Sequence, residues 1–67
     1  MGTYQVTVDN LGAVTDTDQL KEALISFKEY KDLSRAEYGR AAGESVILWK
    51  HGEPHFEYFG RRAYESI

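Results

Sequence analysis

The chain of 67 residues has no cysteine, one proline (Pro54) and one tryptophan (Trp49). The missing thiols exclude a disulfide framework, a cysteine-based zinc site and a cysteine nucleophile. No apolar run approaches the ~18 residues of a membrane span, and the opening Met1-Gly2-Thr3-Tyr4-Gln5-Val6 has neither a basic nor an apolar signal region. It lacks a myristoylation pattern too, and Glu65-Ser66-Ile67 offers no prenylation cysteine. A cytoplasmic protein held to no membrane is therefore expected. An excess of basic charge is also missing: 8 Lys and Arg stand against 11 Asp and Glu, and the resulting net charge of −3 repels a phosphate backbone. That argues against general nucleic-acid affinity.

What is present is enough to fold once. Hydrophobic residues make up 42% of the chain, well above the composition of a disordered segment, yet 67 residues cannot close two cores. A single domain over 1–67 follows. A domain this small usually adds a staple, and with no disulfide or structural metal the remaining device is self-association, so a homo-oligomer is expected.

Tyr4, Val6 and Val8 alternate with Thr3, Gln5 and Thr7, the period of a half-buried strand. Asp9-Asn10-Leu11-Gly12 ends it as a turn, and a loop is expected up to Thr15. From Thr15 the side-chain oxygens suit a helix start, with Asp16 and Gln19 at capping-box spacing. Leu20, Ala23, Leu24, Phe27 and Tyr30 then form one apolar stripe. The helix either breaks at Ser34, which with Glu37 makes a second capping pattern, or runs on to Tyr38; Gly39 is the stop.

Ser45 to Lys50 and His55 to Phe59 are rich in β-branched and aromatic residues and flank His51-Gly52-Glu53-Pro54, which predicts a β-hairpin. A two-residue loop there places Ile47, Trp49, Phe56 and Tyr58 on the core face. The fold class expected is thus α+β, in β-α-β-β order, with a three-stranded antiparallel-type sheet packed on one helix. Val46, Leu48 and Phe59 fall on the outer face, where apolar side chains imply cover by a partner, so these three are the expected interface. Ala63, Tyr64 and Ile67 of the tail could supply part of that cover.

Catalytic motifs are sparse. Neither phosphate-binding glycine pattern occurs, and His51 and His55, the only histidines, sit in or beside a turn without the shell a catalytic triad needs. A non-enzymatic protein with no catalytic residues and no cofactor is expected. His51, Glu53, His55 and Glu57 resemble a metal set in composition, but their spacing spans a turn and no further histidine or cysteine completes it, so no metal site is assigned. The connection from Ser34 to Glu44 is the better candidate. Arg35, Tyr38, Arg40, Gly43 and Glu44 could cradle an anion or carboxylate between guanidinium forks and backbone N–H groups. Alternatively the glycines cap and open elements while arginine pairs with glutamate. Arg61 and Arg62 beside Tyr58, Phe59 and Tyr64 offer a basic and aromatic surface for a nucleic-acid module, against the average field.

The run Tyr38-Gly39-Arg40-Ala41-Ala42-Gly43-Glu44-Ser45-Val46-Ile47-Leu48, followed by Gly52-Glu53 and Glu57-Tyr58-Phe59-Gly60, resembles short uncharacterised proteins of phages and other mobile elements. The resemblance covers about half of the chain, and its Gly-Arg-Ala-Ala-Gly-Glu segment is the distinctive part. It implies an accessory protein that binds a host component stoichiometrically. The expected function is therefore binding of a host protein or a small anionic ligand, with nucleic-acid binding through the C-terminal arginines as the alternative.

Overall fold

The alternating segment forms strand β1 (Tyr4–Val8), with Val6 and Val8 completely buried. The computed structural model describes residues 2–36, 39 and 42–60. After β1 the Leu11 N–H donates to the Val8 carbonyl at 2.9 Å, and the chain returns at once as β2 (Gly12–Thr17), antiparallel to β1. This strand corrects the expectation of a loop and a capped helix start. The oxygens read as caps serve another end: the Asp16 carboxylate accepts from the Gly2 N–H, and Asp18 accepts the Thr3 N–H at 2.9 Å. Acidic side chains thereby fasten the stretch before β1 to the far end of β2 and the residue after it.

Helix α1 (Leu20–Arg35) begins five residues later than Thr15. Gln19 stands at its N-cap without a side-chain cap bond, so the Asp16–Gln19 capping box is not formed. Instead the Thr17 hydroxyl accepts the Gln19 N–H at 3.1 Å and donates to Glu22 at 2.7 Å. The helix is unbroken at Ser34 and ends at Arg35, where the Ala36 N–H donates to the Asp32 carbonyl at 2.9 Å. Tyr38, the other expected end, lies outside the described residues.

Strands β3 (Val46–Lys50) and β4 (Glu53–Tyr58) make the hairpin as expected. His51 (φ 51°) and Gly52 (φ 80°) are both left-handed, the two-residue geometry that matches strand twist and that favours glycine at the second place. Among the described residues the sheet has four strands, all antiparallel, in the order β2-β1-β3-β4, so the element order is β-β-α-β-β instead of β-α-β-β.

One residue decides the faces. Trp49 lies opposite Pro54 but Leu48 lies opposite Phe56, leaving His55 as an extra residue in β4. Such a bulge shifts the register by one, and a shift of one reverses which residues share a face. Val46, Leu48, Phe56 and Tyr58 therefore lie on the helix side, and Ile47 and Trp49 on the open side. The expectation for Val46 and Leu48 was the reverse. Both are 0% exposed and pack with Val6, Val8 and Ala23 under α1. At about 1.5–3 kcal/mol for each fully buried aliphatic side chain, the four strand residues are the main adhesive between helix and sheet. The helix packs chiefly across β1, β2 and β3, so β4 is thinly covered.

Among the described residues, no helix is long and apolar enough to cross a membrane.

Candidate functional site

The expected anion loop is, where described, a buried clasp. Ser34 is 2% exposed, and its hydroxyl donates to the Glu44 carbonyl while its own carbonyl accepts the Gly43 N–H at 3.2 Å. The Ser45 carbonyl accepts the Asp9 N–H, and the Ser45 hydroxyl accepts the Gly60 N–H at 3.1 Å. Gly60 runs so close to this strand that a Cβ there would collide with the carbonyls of Gly43 and Glu44. These bonds tie the end of α1, the start of β3 and the end of β4 into one dry polar junction. Gly43 and Glu44 are thus buried components of the fold. Arg35 faces solvent and sits 3.7 Å from Asp32, a surface pair of little energetic weight. Tyr38 and Arg40 lie outside the described residues, as do Arg61, Arg62, Ala63, Tyr64 and Ile67.

Of the three expected interface residues, Val46 and Leu48 are inaccessible beneath α1, and Phe59 is exposed. The hairpin histidines do not gather acids around them: among the described residues, no three His, Asp or Glu side chains converge as a metal site would require. His55 packs edge-on against Phe56, with ring centroids 4.6 Å apart.

The bulge leaves a different surface open. Trp49, half-buried, stands on the side of the sheet away from α1, opposite Gln5, and its indole N–H donates to the Thr7 hydroxyl at 2.8 Å. That bond crosses from β3 to β1 and fixes the ring on a rigid support. Gln5 is oriented in turn by a 3.4 Å hydrogen bond from its Nε2 to Asp16. At the hairpin end, the His51 N–H donates to the Thr3 carbonyl at 2.9 Å, joining the turn to the start of β1. Between them lies an open depression of about 280 Å³ lined by Gly2, Thr3, Gln5, Trp49, His51 and Gly52. This is just below the ~300–1,000 Å³ range of small-molecule sites.

Chemically the depression offers an indole surface, a carboxamide that both donates and accepts, and an imidazole, and among the described residues that line it there is no lysine or arginine. It suits a small uncharged group with a flat or extended shape, held by ring contact and one or two amide-type hydrogen bonds. Sequence reasoning placed Trp49 in the core and so missed this site. The available signal was the strand β1 itself: Val6 and Val8 need aliphatic partners across the ladder, and Leu48 and Val46 match them better than Trp49 and Ile47 do.

Compared with protein-family models, with curated proteins and with solved structures, the chain matches none.

Proposed function

We propose that this chain is a non-enzymatic binding protein acting through the open face of its sheet, with Trp49 as the contact residue and the adjoining depression as the subsite for one inserted group. The observation that carries the reading is the position of the sole tryptophan. It is held on a rigid strand by the Thr7 hydroxyl and borders the depression, instead of filling the core. Amphipathic aromatics on rigid supports supply contact area at little entropic cost, which is why binding surfaces favour them. The described lining favours a neutral ligand group, such as an amide or planar ring on a host component. An accessory role in a mobile element fits such stoichiometric binding and rests on the sequence resemblance.

Because Trp49 is the only tryptophan, protein labelled with 5-fluorotryptophan gives one fluorine resonance that reports this face alone. Titration with a proline-rich peptide, a neutral heteroaromatic amide, a mononucleotide and a single-stranded oligonucleotide separates the ligand classes. The expected result is a saturable shift with one of the neutral probes, lost in Gln5→Ala. A shift produced only by the oligonucleotide, weakening steeply with salt, would move the assignment to nucleic acid. A resonance unmoved by all four, while backbone amides elsewhere respond, would remove the open face from consideration.

A further inference from the structure

Around the depression beside Trp49, several of the hydrogen-bond donors are already turned back on the protein. The Gly2 N–H donates to the Asp16 carboxylate, the Thr3 N–H to Asp18 at 2.9 Å, and the Thr3 hydroxyl to the same Asp18 oxygen at 3.4 Å. Thr7 takes the Trp49 indole N–H at 2.8 Å, and the Thr3 carbonyl takes the His51 N–H at 2.9 Å. Trp49 therefore offers a ligand its ring face and no donor. The exposed His51 side chain carries one donor and one acceptor when neutral, so it sets no preference between them.

Gln5 does set one, because its polarity is fixed from outside the depression. Three side chains stand in a row across the sheet: Asp16 on β2, Gln5 on β1 and Trp49 on β3. A carboxylate only accepts, so the end of the Gln5 amide that meets Asp16 is Nε2, at 3.4 Å. Trp49 lines the depression and Asp16 does not, which puts the depression on the side of Gln5 away from Asp16. A planar amide that turns its N–H toward one neighbour turns its oxygen away from it, leaving Oε1 toward the indole. Asp16 is itself held, since its other oxygen accepts the Gly2 N–H, and Gly2 lies so close to β2 that a Cβ there would collide with the Thr17 backbone.

We infer that the depression selects a neutral planar group that donates a hydrogen bond, a primary carboxamide being the simplest. Gln5 Oε1 is its acceptor, the Trp49 ring lies against its flat face, and Asp16 is the positioning residue that sets the polarity. This rests on the reading of the depression as a subsite and names the chemistry it takes. A group that only accepts would leave Oε1 desolvated and unpaired.

The test compares two probes of one shape, benzamide and acetophenone, which share a ring and a carbonyl and differ in an amino against a methyl group. Each is titrated into the full chain labelled with 5-fluorotryptophan, and its dissociation constant is read from the Trp49 resonance. Benzamide should bind about 5-fold more tightly, as one hydrogen bond against an unpaired acceptor implies. In Asp16→Asn the Gly2 N–H keeps the side-chain oxygen, so the new amide N–H faces Gln5 and turns that amide over. Both probes should still bind, with a ratio of about one, whereas a merely loosened fold would weaken both alike and preserve the ratio. Gln5→Met keeps the side-chain length, loses the oxygen and should also bring the ratio to about one, independently of how Asp16→Asn folds. Equal affinities in the unsubstituted chain, or a benzamide preference that survives either substitution, would overturn the inference and leave the subsite standing. A resonance moved by the proline-rich peptide and not by benzamide would do the same, and one that no probe moves would remove the subsite itself.

Discussion

The two faces of the sheet are built from the same strands, yet they are made of different materials. Toward α1, β1 and β3 present Val6, Val8, Val46 and Leu48, all dry, with rigid aliphatic shapes and no polar group to satisfy. Away from α1, the same two strands present Gln5, Thr7, Ile47 and Trp49, where the residues partly face solvent and the ordering comes from hydrogen bonds between side chains. Cohesion belongs to the first face and recognition chemistry to the second. The lesson is that a small domain can keep its adhesive and its contact surface one residue apart along a strand, provided the register is pinned.

The sharpest way to break this comparison is to truncate neighbours in β3. Leu48→Ala should cost about 3 kcal/mol, from lost transfer energy and a residual cavity, whereas Ile47→Ala should cost about 1 kcal/mol. For a domain of this size total stability is about 3–10 kcal/mol, so the first variant should be substantially unfolded on warming and the second should not. Urea denaturation of both decides it, and equal losses would mean that the register is wrong. Smaller in effect is Ser34→Ala, which removes the hydroxyl bond to the Glu44 carbonyl in a dry setting. A loss of about 1–2 kcal/mol by the same measurement is expected. Smallest is His51→Asn. A left-handed non-glycine residue at the first turn position is better filled by asparagine, and a gain of about 0.5 kcal/mol is expected, read as a higher urea midpoint with unchanged slope.

Much of the inner face was legible. The alternation of Tyr4, Val6 and Val8, the stripe of Leu20, Ala23, Leu24, Phe27 and Tyr30, and a tight turn at His51-Gly52 or Gly52-Glu53 each carry a local physical signature, and each lies in the element it implies, although Leu20 and Leu24 stay 39% exposed. Strand β2 was not legible, because Asp16, Thr17 and Asp18 carry oxygens that suit a helix N-terminus as well as they suit the N–H groups of Gly2 and Thr3 across a ladder. Only the three-dimensional neighbour distinguishes those uses. The His55 bulge was hidden for a related reason: alternation in β3 and β4 is self-consistent in either register, and the choice is made by β1 and α1, which lie far away in sequence. Since Trp49 changes face with that one residue, the candidate site was lost with it.

The strand order has a consequence for how the protein comes into being. Strand β1 sits in the interior of the sheet, yet one of its two neighbours, β3, is separated from it in the chain by β2 and the whole of α1. Closing so long a loop must precede the contacts that stabilise it, and chains dominated by such distant pairings fold slowly for their length. During synthesis, the first hairpin and the helix leave the ribosome with Val6 and Val8 lacking the partners that Leu48 and Val46 later provide. The domain therefore cannot close its core until β3 has emerged and paired with β1.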